Sequence, residues 1–437
     1  MWRRASWGVL GMWLFALRAS ALWLTGYYPS YVSMPVTAVD FSNVTHVIHF
    51  CLLAGANGSI TNNGLGGSAS TSFVKTVHGA GRQAIVCVGG AGSQAGFEGA
   101  TTSANVTNFV ASLTNFAGTY GYDGVDIDWE PLSSSDVHQY TNFVQTLRAA
   151  LNHLGSGKLL TVAAPAYTQA AMYASIQSQF DQINIMTYDL SGPYEGWVTW
   201  FNSPLQDGGY TFPSTHGLVP SVNGAVNNFT SAGIAPGKLG IGLPFYGYVW
   251  TGGPGVTAPR QGWTTPVPTV SEPTYQSIIK NYYQPARYHW DDAAQAPYLS
   301  ITNTTAANDM FISYDDAAAC EVKVSYARNH GLGGIMIWEL SQDYSASSSP
   351  THPLLHALDQ SLATPRILSA ALQGGNLVLS FSTLPLASYR VAWTTDLAAG
   401  NWNTLSNNIP GDGSPVTISD PAGLGSAARF YRVQTPP

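Results

Sequence analysis

Three features of this 437-residue chain predict an α/β fold, a (β/α)8 barrel with a small α+β insertion, followed by a C-terminal all-β, sandwich-like domain. Short apolar runs alternate eight times with mostly helix-patterned segments, which is the plan of a closed parallel barrel. Polar and aromatic residues collect where those runs stop, as they do where barrel chemistry gathers. Beyond residue 363 the pattern changes to short strands separated by Gly, Asn, Asp and Pro turns.

The elements follow in order. Apolar runs bounded by Gly, Pro and Asn predict strands at 22–28, 44–53, 83–88, 121–129, 159–166, 182–188, 238–246 and 332–338. Helical spacing predicts helices at 106–120, 136–154, 167–179, 221–232 and 316–330, each ending near a Gly or a polar break. An open doubly wound sheet is the alternative, but Gly26-Tyr-Tyr-Pro29 is not the Gly-rich phosphate turn that usually follows its first strand. The interval 249–310 is too long for a bare loop and predicts an inserted α+β module standing beside the barrel mouth. The expected organisation is a leader at 1–21, a barrel at 22–363 containing the insertion at 249–310, and a β-domain at 366–437. Within the last, strands are predicted at 377–381, 389–393 and 430–433.

Only 9% of residues are charged, with Lys+Arg 17 against Asp+Glu 24 and a net charge of −7. With no basic run, nucleic acid and anionic membranes are excluded as partners. Thirteen Trp and twenty-three Tyr in so neutral a chain suit an uncharged, ring-shaped ligand, although many of them must be core. Met1-Trp-Arg-Arg4, the apolar run 5–17 and Ala19-Ser-Ala21 follow the order of a secretory signal, so export is expected and no membrane anchor remains in the mature form. The three cysteines, Cys51, Cys87 and Cys320, exclude a disulfide-dense scaffold and leave at least one thiol unpaired, and Cys51 and Cys87 in their apolar runs are read as buried free thiols. Asn43, Asn57, Asn105, Asn228 and Asn303 stand in glycosylation sequons.

The most reactive stretch is Asp123-Gly-Val-Asp-Ile-Asp-Trp-Glu130. On a strand, Asp126, Asp128 and Glu130 point to one side, while Val125, Ile127 and Trp129 pack on the other. Three like charges ~6–7 Å apart cannot all stay ionised in a partly dry site, so at least one carboxyl is held protonated near neutral pH. Such a group is a general acid. A calcium site is disfavoured, because one stiff strand offers too few oxygens. His46 and His49 have no Cys or Asp partners at metal spacing and are read as satisfied histidines, so no metal is expected. Asp123, on the opposite parity, is read as a structural acceptor.

The chain closely resembles the glycoside hydrolase family 18 chitinases, of the bacterial type with an insertion between barrel strands seven and eight. Their signature Asp-x-x-Asp-x-Asp-x-Glu at the end of strand four matches Asp123, Asp126, Asp128 and Glu130. Further matches are Gly26-Tyr-Tyr28, Met186-Thr-Tyr-Asp189, Gly242-Leu-Pro-Phe-Tyr-Gly247, Gly334-Ile-Met-Ile-Trp338 and Asp343, together covering most of 22–345. The resemblance implies that Glu130 protonates the glycosidic oxygen and later activates water, while Asp128 shares a proton with Asp126 before turning toward Glu130. It implies that the substrate's own acetamide serves as nucleophile. Tyr188 would orient that acetamide, Asp189 would contact the bent sugar, and Trp338 would form the floor beneath it. Tyr27, Met186, Tyr246 and Trp197 complete the expected substrate contacts, although Tyr27, Tyr246 and Trp338 also suit a core role. Tyr194, Trp197 and Trp200 either stack on sugar rings or pack their own loop.

Two departures from the family pattern stand out. Cys87-Val-Gly89-Gly90 replaces Ser-x-Gly-Gly after strand three, so a weaker thiol donor serves Asp126 and its titration is expected to change. Tyr248 replaces the Arg that commonly follows the strand-seven Tyr-Gly. The implied protein is a secreted, monomeric chitinase that cuts β-1,4 linkages of chitin and N-acetylglucosamine oligosaccharides with retention and without a cofactor. The alternatives are an endo-β-N-acetylglucosaminidase acting on N-glycans and a non-catalytic chitin-binding lectin. Intact Glu130 argues against the lectin. Trp393 and Trp402 in the β-domain are either exposed stacking residues or core.

Overall fold

The computed structural model describes residues 22–434 apart from 43, 264–265, 364, 366, 384–387, 398–399, 412–413 and 422–428. The expected leader at 1–21 and the sequon at Asn43 lie outside the described residues. The chain divides into two compact units, Leu22–Leu362 and a second beginning at Ala363.

In the first unit the eight predicted strands all form: β1 Trp23–Pro29, β2 His46–Ala54, β3 Gln83–Gly90, β4 Gly124–Trp129, β5 Leu159–Pro165, β6 Gln182–Met186, β7 Leu239–Pro244 and β8 Gly334–Trp338. Every neighbouring pair is parallel, and β1 pairs with both β2 and β8, so the sheet closes. Strands covered on both sides read as near-continuous apolar runs, and β4 and β7 are buried along their whole length.

Strand parity separates two cores. Outward residues such as Val125, Ile127 and Trp129 pack under the helices. The helix Val106–Tyr120 offers Phe109, Val110, Leu113, Phe116 and Ala117 as one apolar stripe, and stops at Gly121 in the left-handed conformation with φ 78°. Val137–Leu154 offers Tyr140, Phe143, Val144, Leu147 and Leu151 in the same way. Inward residues, among them Tyr27, Ile48, Ile85, Cys87, Ala163, Tyr188 and Met336, fill the barrel.

Boundaries differ from expectation where backbone chemistry intervenes. The strand expected over 238–246 ends at Pro244, which has no N–H for a ladder, and the one expected over 182–188 ends at Met186. The helix expected over 167–179 is Ala170–Ile176 plus a 3-10 turn, because Gln169 at φ 59° breaks the run. Helices Gly67–Gly79, Gln94–Ala100 and Pro353–Ala363 had no predicted counterpart. The first is rich in Ser, Thr and Gly, which disguise its buried Phe73, Val74 and Val77.

Between β7 and β8 lies a five-stranded antiparallel sheet made of Tyr248–Gly252, Pro268–Ser271, Tyr288–Asp291, Ala296–Ile301 and Met310–Ser313, with the helix Tyr275–Asn281. Its own core is Val249, Ile278, Leu299, Ile301, Ile312 and Tyr314. Arg260 pairs with Asp291 and lies over the ring of Trp200, 5.0 Å from its centroid, which ties the insertion to the loop after β6.

Among its described residues the second unit holds two three-stranded antiparallel sheets. Leu379 and Phe381 from one meet Tyr389, Val391 and Ile409 from the other in a single small core. Trp393 and Trp402 are neither fully exposed nor core. Each is half-buried with a guanidinium over its ring, Arg429 at 3.8 Å and Arg432 at 4.2 Å.

The last helix of the first unit is held by Arg328, which donates to the carbonyls of Ser361 and Leu362. The barrel therefore carries its own closure. Deleting residues 366–437 is expected to leave a cooperatively unfolding protein whose thermal midpoint moves by less than about 4 °C. Calorimetry on the shortened chain checks this, and loss of cooperativity would refute it.

Candidate active site

The site is built from the inward face of β4. Register places Asp126 beside Cys87 of β3 and Thr161 of β5, and Asp128 beside Gly89. Asp126 is fully buried, and its oxygens accept from the Tyr27 hydroxyl at 2.7 Å and the Thr161 hydroxyl at 2.5 Å, with the Cys87 thiol as a third donor. Burial pushes its pKa up to about 6, the three donors opposing the shift. Asp128, 3% exposed, is pushed well above the usual carboxyl range by burial and by the charges of Glu130 and Asp126. It is hydrogen-bonded to Glu130, and its Oδ1 has no partner. Glu130, at the top, is also raised, first by burial, with the Asp128 bond opposing and the charge of Asp189 adding. Burial thus disfavours the charged form of every carboxyl in the column, and Asp128 and Glu130, joined by their hydrogen bond, titrate as a pair.

Two glycines make this column possible. A Cβ on Gly89, at φ 120°, would lie 1.9 Å from the carbonyl oxygen of Asp128. A Cβ on Gly242 would meet the ring of Tyr188 at 2.7 Å. Ser93 closes the strand end, its hydroxyl donating to the Asp128 carbonyl and accepting from the Glu130 N–H.

Above the column opens a cavity of about 710 Å³ lined by Asp128, Glu130, Met186, Tyr188, Asp189, Trp197 and Trp338, together with Gly89 and Gly90. The Trp338 ring is fixed by Tyr27, 5.4 Å away, and by Phe50 in an edge contact at 4.8 Å. Tyr194 and Trp197 form an edge-to-face pair at 5.0 Å on the rim. Trp200 is fully buried, so of Tyr194, Trp197 and Trp200 it is the one that belongs to the core.

Asp189 leaves β6 in the left-handed conformation, φ 55°, and its N–H donates to Oδ1 of Asn202 at 2.7 Å. Asn202 in turn donates its own N–H to Ser313 of the insertion. The next residue, Ser203, accepts from the fully buried Lys323 and donates to the carbonyl of Thr187, while Lys323 is neutralised by Asp315 at 2.5 Å. The Asp189 carboxylate itself accepts from both Tyr246 and Tyr248.

The predicted residues thus fall into two groups. Glu130, Asp128, Met186, Tyr188, Asp189, Trp197 and Trp338 line the cavity, whereas Tyr27, Asp126, Cys87 and Tyr246 stand behind them, Tyr27 acting on Asp126 and Tyr246 on Asp189. Asp123 accepts from the Ala84 N–H and from His78, 2.7 Å each, a structural role. His49 stacks on Phe73 and bonds Tyr122, and burial pushes it down to about 4. All three cysteines are buried and free, and Cys51 also lines the cavity. Thr161, Ser93 and Asn202 were not anticipated. Thr161 matters most, because its hydroxyl supplies the strong donor that Cys87 cannot. Only strand register could reveal it.

The raised carboxyls fix the sign of a pH effect. A carboxyl raised in the folded state contributes stability below its unfolded value, near 4, that is lost as pH rises through the folded value, about 6 for Asp126. Stability is expected to decline between about pH 4 and 7, with Asp126 contributing on the order of 3 kcal/mol of that decline. Asp126→Asn should flatten the slope, measured by urea denaturation at both ends of the range; an unchanged slope contradicts the assignment.

The description glycosyl hydrolases family 18 matches residues 24–343. Chitinase A1 of Niallia circulans is 34% identical over 275 residues, which are 56% of this chain but 38% of that protein, so the chain spans well under half of that relative. A class V chitinase of Arabidopsis thaliana is 29% identical over 356 residues, 76% of this chain and 89% of that protein. Among solved structures, the group IV chitinase of Ostrinia furnacalis superposes with a TM-score of 0.68 at 24% identity, covering 78% of this chain and 100% of that one, a likeness of fold. With the family description spanning the whole barrel, the chain belongs to glycosyl hydrolase family 18.

Proposed function

We propose that the protein is an exported chitinase that hydrolyses β-1,4 linkages of N-acetylglucosamine polymers with retention, using the substrate's acetamide as nucleophile. The observation that carries this reading is Glu130 standing at the top of a buried column of raised carboxyls, at a cavity walled by Tyr188 and Trp338. Relatives that bear the name chitinase support it.

In this reading protonated Glu130 gives its proton to the glycosidic oxygen as the acetamide oxygen bonds to C1, the C1–O bond breaks, and an oxazolinium ion forms. Glu130, now a carboxylate, takes a proton from the water that attacks C1 and reopens the ring. Two inversions give net retention. Asp128 steadies the spent carboxylate through their hydrogen bond, and the partly raised Asp126 allows charge to move inward. Tyr188, its ring lodged against Gly242 and Met336, would hold the acetamide in line. Positioning of this kind contributes up to ~7–11 kcal/mol of barrier reduction. Trp338 would face the apolar side of the sugar.

Hydrolysis of chitin oligomers with the fresh anomer read by NMR tests the reading. The expected result is β product from wild type and a kcat lower by ~10²–10⁴-fold in Glu130→Gln. Oligomer binding without wild-type cleavage would assign the protein to the lectins instead, and cleavage of N-glycan cores alone to the endo-β-N-acetylglucosaminidases.

A further inference from the structure

Tyr248, the first residue of the inserted sheet, points back to the cleft. Its hydroxyl donates at 2.7 Å to Oδ1 of Asp189, the oxygen that also accepts from Tyr246. Two donors on one oxygen fix the rotation of the carboxylate and leave Oδ2 for the cavity. Neither donor brings a charge. The groups that feel Asp189 are Glu130 just past β4, Tyr188 beside it, Tyr246 and Tyr248, and Glu272 just past the strand Pro268–Ser271, with Tyr194 of the loop after β6 also near Tyr248. None of these is a cation, and among the described residues no Lys, Arg or His lines the cavity.

We propose that Tyr248 is a positioning residue that holds Asp189 as an oriented, uncompensated anion, so that the cleft keeps a bare negative charge opposite the catalytic acid. The inference rests on the proposed role of Glu130. Burial and the Asp189 charge keep both tyrosines above their ordinary pKa, so they remain donors throughout the working range. The sign of the effect on Glu130 follows. An anion nearby favours the protonated acid, so the acid survives to higher pH than it would beside a neutralised pair. A cation at position 248 would bind Asp189 as firmly but cancel its field.

The test compares wild type with Tyr248→Phe, Tyr248→Lys and Asp189→Asn, measuring kcat and KM from pH 4 to 10 on a chitin oligomer. Tyr248→Phe retains the charge but frees the carboxylate, and is expected to lower kcat/KM roughly three- to tenfold with the pH limbs in place. Tyr248→Lys and Asp189→Asn are expected to move the alkaline limb down by about half a pH unit or more. A second readout needs no turnover. The chain has six glutamates, so carboxyl 13C titration of glutamate-labelled protein follows Glu130 directly, its signal identified by its loss in Glu130→Gln. Failure of wild type to cleave would count against the proposed function, while the titration still tests this inference. A Glu130 midpoint unchanged in both Tyr248→Lys and Asp189→Asn, each with a wild-type circular dichroism spectrum, overturns it.

Discussion

The burial of three carboxyl groups in the barrel interior is the constraint on which the rest of the site depends. Placing Asp126, Asp128 and Glu130 in a column out of water penalises their charged forms, and the structure responds with donors graded by depth. Asp126, deepest, receives two hydroxyls and a thiol; Asp128 keeps an unpartnered oxygen; Glu130 opens to the cavity. The charged form is disfavoured throughout the column, and Asp128 in its middle is raised well above the ordinary carboxyl range.

The fold supplies that gradient cheaply because a parallel barrel packs both faces of each strand. Trp129 stacks on Phe97 at 4.6 Å on the helix side of β4, one residue from Asp128 on the inner side. The same backbone is thus anchored by an apolar layer where it carries no chemistry. Gly89 lets β3 approach the end of β4, and Ser93 ties that end from the following loop.

The opposite wall depends on longer-range contacts. Asp189 sits in a left-handed turn secured by Asn202, whose partner Ser313 belongs to the inserted sheet, and by a buried Lys323–Asp315 pair reaching the neighbouring Ser203. Leaving Lys323 in place without Asp315 would strand a charge in a dry interior, which is destabilising by about 3–5 kcal/mol in comparable cases. The insertion thus helps to hold the loop that faces Glu130, in addition to standing at the barrel mouth.

How much of this was legible follows the range of the interactions. Eight apolar runs gave the strands, period-two spacing put Asp126, Asp128 and Glu130 on one face, and period-3.6 spacing gave helices such as Val106–Tyr120. Ends governed by backbone chemistry shifted by a few residues, at Pro244 and Gln169. The helix Gly67–Gly79 escaped because its small polar residues hide its apolar stripe. By itself, then, the sequence determined the barrel and the acidic column, because both are written in local periodicity and spacing, while the choice of Glu130 as the proposed acid came from the resemblance of its signature to that of the family. The tertiary structure alone decided that Thr161 supports Asp126, that Tyr27 and Tyr246 work from behind the cavity wall, and that Tyr248 grips Asp189. Those pairings join residues 35 to 99 positions apart, and only strand register and the docking of the insertion bring their atoms within hydrogen-bond reach.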